Sequence, residues 1–291
     1  MPTLQLTTQL ITRLSLLVAL TCNFAAAVAA DLADQPVPTS SPAKTAATYH
    51  DIPIDISDSK NEEHLVALKN YGIAGDAHYS RKDGLNAPYY RCICDGKMSL
   101  YLRKGTAQRL RSVNKNLASL GLEVLVLDAY RPVKCQEALW KDSLAEAKRH
   151  LGDKATEEEL VERASNFCSN PTKYDPANWK TWPTHLTGGA VDLTLRRKET
   201  GELMYMGGIY DDGSALSETS YYEAKEHSPD SSEASASSIE ARRNRRILYW
   251  AMVKEGFVNY PHEWWHFDFG NQMAVQNNRS GNAIKAFYGR I

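Results

Sequence analysis

Two short alternating stretches constrain this chain more than anything else in it. Ala190-Val191-Asp192-Leu193-Thr194-Leu195 sets Val191, Leu193 and Leu195 on one face of a strand and Asp192 and Thr194 on the other. Trp265-His266-Phe267-Asp268-Phe269 alternates in the same way and sets His266 opposite its aromatic face. Two strands packed by their apolar faces hold Asp192 and His266 on a common open face. His185 stands shortly before the first strand and Glu263 just ahead of the second. Two imidazoles and a carboxylate, here His185, His266 and Asp192, make a ligand set that leaves one zinc position open for water. A second carboxylate beside the last ligand, Glu263, can take the proton from that water.

The rest of the chain supplies helices and strands without a regular βαβ alternation. Leu110, Val113, Leu117 and Leu120 recur at helical spacing, so Thr106 to Leu120 reads as a helix with Gly121 as its stop. Leu122 to Leu127 is a nearly continuous apolar run, the pattern of a central buried strand. It delivers Asp128-Ala129-Tyr130-Arg131, and Pro132 can open the next helix, Val133 to about His150. Glu157 to Phe167 and Arg242 to Glu255 are further helices, and a strand is expected within Tyr89 to Tyr101. These elements predict an α+β fold: a central, mainly antiparallel sheet flanked by helices, with the zinc site on the open face of the sheet.

Composition narrows the context. The net charge is −1 over 291 residues, with no basic block interleaved with aromatics, so nucleic acid is not an expected partner. Arg242-Arg243 with Arg245-Arg246 is the dense basic cluster, expected to be a solvated helix face with buried stems. Arg13, the apolar run Leu14 to Leu20 and the small residues Ala25 to Ala30 have the order of a secretory signal peptide (residues 1–30), with cleavage near Ala30. The apolar run is shorter than the ~20 residues a bilayer span needs, so no stable membrane span is expected after cleavage. A periplasmic or secreted location follows as an expectation. Residues 31–48 are rich in Ala, Pro, Ser and Thr and read as a flexible linker. Residues 49–291 then form the catalytic domain, with a mobile surface insertion at about 212–240 that is poor in large apolar side chains. Cys92, Cys94, Cys135 and Cys168 remain after the signal, an even count that allows disulfides. Cys92 and Cys94 are not expected to pair with each other, because side chains two apart on a strand run parallel.

Several motifs carry a family resemblance. Pro183-Thr184-His185-Leu186-Thr187-Gly188-Gly189-Ala190-Val191-Asp192, Glu263-Trp264-Trp265-His266 and Asp128-Ala129-Tyr130-Arg131-Pro132 stand in order, and Thr200-Gly201-Glu202-Leu203, Met206-Gly207, Tyr210-Asp211 and Asn244-Arg245-Arg246 fall between or beside them. In these the chain resembles the zinc D-alanyl-D-alanine dipeptidases of the VanX type, within the larger group of zinc D,D-peptidases that cut peptidoglycan peptides. The resemblance implies one Zn2+ per chain on His185, Asp192 and His266, with Glu263 as base. It gives Arg131 the role that physical chemistry also suggests, a fixed cation for charge developing on the substrate carbonyl. The other reading of Arg131 is a salt bridge with Asp128. Asp211 matches the family aspartate that receives the substrate's free amino group, as an ammonium requires. Pro183 replaces a family serine of the substrate pocket, so Thr184 is the candidate replacement hydroxyl. Gly189, also smaller than the usual serine, suggests a wider pocket. The implied substrate is D-Ala-D-Ala, a related D-configured dipeptide or a peptidoglycan-derived peptide. The alternatives are a D,D-carboxypeptidase or endopeptidase acting on stem peptides, and a non-catalytic zinc-containing binding module.

Overall fold

The computed structural model describes residues 32–39, 46–95, 100–165, 168–278 and 284–291. The expected signal peptide, its cleavage site and residues 31 and 40–45 of the expected linker lie outside them. No helix among the described residues is long and apolar enough to cross a membrane.

The expected α+β architecture is present. A short antiparallel pair, β1 (Leu65–Ala67) and β3 (Tyr101–Arg103), stands beside a sheet of order β2 (Ala74–Gly75), β4 (Leu122–Asp128), β5 (Ala190–Arg197), β7 (His266–Asp268), β6 (Val258–Asn259). Only β2 pairs in parallel within the larger sheet; its other neighbours are antiparallel. β4 is buried along its whole length, as its apolar run predicts. Helix α1 (Lys104–Leu117) packs Leu110, Val113 and Leu117 against β4, and Gly121 ends its last turn in the left-handed conformation. Helices α2 (Val133–Leu151) and α3 (Glu157–Ser165) pack on each other. Helix α4 (Ala236–Lys254) packs on α1 and β5, and α5 (Gln272–Asn277) follows β7. Val191, Leu193 and Leu195 of β5 join Phe267 of β7 in the main core. Asp192 and Thr194 therefore turn to the other face, as the alternation requires.

One expectation needs correction, and two segments make contacts that their composition does not announce. Within residues 32–39 of the linker segment, Leu32, Ala33 and Val37 are buried, Arg246 donates to the carbonyls of Ala33 and Asp34, and Trp250 donates to that of Gln35. A few apolar side chains in a Pro- and Ala-rich segment were enough to seat it on α4. The 212–240 insertion also makes hydrogen bonds to its surroundings. Thr219 N donates to Pro261 O, Trp264 N to Ser217 O, and the Tyr222 hydroxyl to Gly207 O. Its end is helical: Ser235 and Ser238 cap each other's backbone N–H, starting α4 at Ala236 rather than near Arg242. In the arginine cluster within α4, Arg243 is exposed and Arg242 half-buried, but Arg245 and Arg246 are not on a solvated face. Arg245 is 2% exposed and donates to the carbonyls of Met206, Leu216 and Glu218, while Arg246 pairs with Glu223. Burial lowers the Arg245 guanidinium to about 10, and the carbonyls compensate it by closing the loops over α4.

Cys94 and Cys135 form a disulfide, and Cys92 and Cys168 are free thiols. Alkylation of the denatured, unreduced protein should label Cys92 and Cys168 and spare the other two. The bridge joins residues at a sequence separation of 41, so Cys94→Ser should lower unfolding stability by about 2–4 kcal/mol in denaturant titration. Labelling of all four cysteines would contradict the bridge.

Candidate active site

The pairing register decides the centre of the site. Asp192 lies directly opposite His266 in the antiparallel β5–β7 ladder. Directly opposed residues share a face with Cβ atoms about 5 Å apart, so the two side chains meet: Asp192 Oδ1 is 2.9 Å from His266 Nδ1. His185 comes from the turn Thr184–Thr187, which ends at Gly188 with φ 68°. Its Nε2 lies 3.3 Å from His266 Nδ1 and 3.4 Å from Asp192 Oδ2. The two glycines after this turn serve packing. A Cβ at Gly188 would press within 2.8 Å of Leu65, and one at Gly189 would run into the Phe269 carbonyl. Gly189 therefore lets β5 lie close to the chain after β7, and the expected widening of the pocket at that position is not what it provides.

The donor set fits a metal ion. One ligand atom from each of His185, Asp192 and His266 lies within 4.8 Å of the others, and all three residues are buried. The remaining ring nitrogens are fixed from behind, His185 Nδ1 donating to Ala129 O at 2.7 Å and His266 Nε2 lying 2.9 Å from Asp268 Oδ2. This is the outer support that metal-binding imidazoles characteristically have. The charge balance points the same way. Burial opposes the charge on Asp192, but His185 and His266 outweigh it and hold the carboxylate well below its usual range. Burial also opposes charge on His266, yet Asp268 and Asp192 raise its imidazole well above the usual range. The pocket thus favours positive charge at this point.

Glu263 sits at the edge of the triad, Oε2 3.7 Å from His266 Nδ1. A tight turn sets it there: Glu263 N donates to Tyr260 O, and Asn259 Nδ2 donates to the carbonyls of Glu263 and His266. Burial, with Asp192 and Asp211 nearby, pushes its carboxyl up to about 8.

Arg131 is buried beside the triad. Its Nε donates to Asp128 Oδ2 at 2.8 Å, its Nη2 lies 3.2 Å from Asp192 Oδ2, and its Nη1 donates to Gln136 Oε1 at 3.1 Å. A register shift in β4 between Val126 and Asp128 brings Asp128 opposite Asp192, so the two acids grip one guanidinium. The salt bridge with Asp128 and a cavity-facing cation are thus both present in Arg131, not alternatives.

Asp211 has φ 58° and lines the cavity. Its Oδ2 accepts from the hydroxyls of Tyr79 at 2.8 Å and Tyr89 at 2.9 Å. Burial and the nearby Asp192 push its carboxyl up to about 7. Thr184 lines the cavity, but its hydroxyl is engaged: it donates to Asp268 Oδ1 at 2.6 Å and accepts from Asn271 Nδ2 at 2.7 Å. It holds Asp268 behind His266.

All seven expected site residues line or border one cavity of about 620 Å3. Sequence reading missed Tyr79, Tyr89, Gln136 and Asp268. Asp268 was within reach, since it follows His266 by two in the same alternating strand and so shares its face. Nothing local marks the tyrosines, which lie more than a hundred residues from Asp211.

A profile of the D-ala-D-ala dipeptidase family, peptidase M15, matches residues 60–284. The chain is 33% identical over 213 residues to a D-alanyl-D-alanine dipeptidase of Synechocystis sp., covering 70% of this chain and 85% of that protein. It is 31% identical over 170 residues to a D-alanyl-D-alanine dipeptidase of Enterococcus faecalis, covering 56% and 70%. A Streptomyces coelicolor protein of the same name is 29% identical over 202 residues, covering 67% and 85%. The matched span contains the whole buried cluster of imidazoles and carboxylates as well as Arg131, and on that ground the chain is a peptidase that belongs to the D-ala-D-ala dipeptidase family of the M15 peptidases.

Proposed function

We propose that this chain is an exported zinc dipeptidase that hydrolyses D-Ala-D-Ala or a related D-configured dipeptide in peptidoglycan-derived peptide metabolism. His185, Asp192 and His266 would hold one zinc per chain, which would supply Lewis acidity toward the attacking water and the scissile carbonyl. Glu263 accepts the proton of that water and passes it to the leaving amine. Arg131, kept in place by Asp128 and Gln136, faces the charge that develops on the carbonyl oxygen. Asp211 receives the substrate ammonium. Export is supported by the order of residues 13–30 and agrees with the Cys94–Cys135 bridge.

The observation that carries this reading is Asp211. A buried carboxyl with two tyrosine hydroxyls on one oxygen, and its acidity shifted by burial, is a site short of a cation. An ammonium restores its charge. The test is to block that amine. N-acetyl-D-Ala-D-Ala should be a far poorer substrate than D-Ala-D-Ala, because acetylation removes the charge, adds bulk and leaves Asp211 without its partner. By analogy with truncating a buried charge pair the loss is ~2–5 kcal/mol. Asp211→Asn should weaken the free dipeptide and narrow the gap between the two substrates. The cavity also reaches Arg91, Asp142 and Glu146 beside Gly213. That space favours a second reading, a D,D-carboxypeptidase or endopeptidase on longer peptides. Equal or faster cleavage of the acetylated compound, by mass spectrometry, selects it and rejects the dipeptidase.

A further inference from the structure

The family match begins at residue 60, yet the wall of the catalytic cavity does not. Tyr49 and His50, from the 3-10 turn Ala46–Asp51, also line it. This turn is seated on α5: Gln272 Nε2 donates to Ile52 O at 2.7 Å and to His50 O at 3.4 Å. Tyr49 is 2% exposed. Its hydroxyl lies 2.8 Å from Ser169 Oγ and 3.3 Å from Trp182 O, so the outer end of the ring is held by two partners. With Tyr260 and Met273 it forms a buried apolar cluster separate from the main core. Pro183 completes this flank of the cavity.

The two flanks of the triad differ in chemistry. From Asp192, hydrogen bonds run through Tyr210 and Tyr79 to Asp211, the polar end. From His266, contacts run to Asp268, which holds Thr184, and to the ring of Tyr260, itself a member of the apolar cluster. If the substrate ammonium lies at Asp211 and its carbonyl at the triad, the leaving residue extends toward the second flank.

We propose that Tyr49, contributed by the segment upstream of the family-matched residues, is a specificity-determining residue whose ring bounds the pocket for the substrate's C-terminal D-amino acid and selects apolar side chains by size. This rests on the placement of the ammonium at Asp211. Hydrocarbon walls discriminate by volume, at about tenfold to two-hundredfold in kcat/KM per methylene. The matching position for the N-terminal side chain lies on the other flank and is insensitive to Tyr49.

The test compares D-Ala-D-Ala, D-Ala-D-Val and D-Ala-D-Phe, which vary the leaving residue, with D-Val-D-Ala, which varies the other end. Tyr49→Ala should raise the kcat/KM ratio of D-Ala-D-Phe to D-Ala-D-Ala by about tenfold or more, mainly through KM. The ratio of D-Val-D-Ala to D-Ala-D-Ala should stay at its wild-type value. Tyr49→Leu, a smaller excavation, should shift the first ratio in the same direction and guards against a misfolded alanine variant. Tyr49→Phe keeps the ring and should keep both ratios. An unchanged first ratio in Tyr49→Leu, or equal movement of both ratios, overturns the assignment. Cleavage of free dipeptides with that result would leave the dipeptidase reading standing. Absence of cleavage of every free dipeptide by the wild type would remove both.

Discussion

Glu263→Gln should lower kcat for D-Ala-D-Ala by about 10²–10⁴-fold, the usual worth of a positioned acid–base group, while the protein keeps its zinc. Glutamine preserves the shape of the side chain and its place in the Tyr260–Glu263 turn, but its amide oxygen does not take up a proton at working pH. Burial of Glu263 beside Asp192 and Asp211 pushes its carboxyl up to about 8. A base acts only when ionised, so the active fraction grows as pH rises through that pKa. Positive charge at the triad moves the rise to lower pH, since it favours the carboxylate. The wild type should therefore show an acid limb, with rate climbing as pH increases, and the residual activity of Glu263→Gln should lack it. Steady-state rates across pH, with elemental analysis of both proteins, check this. A kcat within tenfold of wild type would remove Glu263 as the base. Loss of zinc in the variant would make it a ligand instead.

His185→Ala and His266→Ala should each lose both zinc and turnover. Each removes one nitrogen from a buried set that holds a single carboxylate besides, and a structural deficit of one ligand in three is not made up by water in a closed pocket. Asp268→Asn should be milder, weakening metal affinity by about 10–100-fold, because it loosens the orientation of His266 without removing a donor. His262→Ala is the control. Its ring is partly exposed beside Glu218, away from the triad, and the variant should retain its metal. Metal content by elemental analysis, with thermal unfolding to show that each variant is folded, decides the matter. Full zinc occupancy in His185→Ala or His266→Ala would remove that residue from the ligand set.

Much of this architecture can be read along the chain. The apolar run of β4, the helical spacing of α1 and the Gly121 stop are local patterns, and local patterns answer to backbone geometry that every window of sequence carries. The alternation in β5 and β7 likewise shows which side chains share a face. Reading failed where a residue's role depends on what packs over it. Arg245 and Arg246 resemble a solvated charge cluster until the carbonyls of Met206, Leu216 and Glu218 close on the first and the Glu223 carboxylate on the second. Ser235 and Ser238 look like part of a low-complexity run until their mutual capping opens α4. Thr184 offers a hydroxyl on paper, yet Asp268 and Asn271 have taken it up.

The sequence alone therefore determined the donor types, their order and the faces on which Asp192 and His266 stand, because period-two alternation is a property of a strand by itself. Tertiary structure decided the rest. The β5–β7 register placed Asp192 opposite His266, where a slip of one residue would have turned either side chain to the core. Packing alone joined Tyr79 to Asp211 across 132 residues, and brought Tyr49 to Ser169 across 120. Such contacts carry no local signature, since the energy that forms them comes from burying surface shared by distant segments, and that surface exists only once the sheet and its helices have assembled.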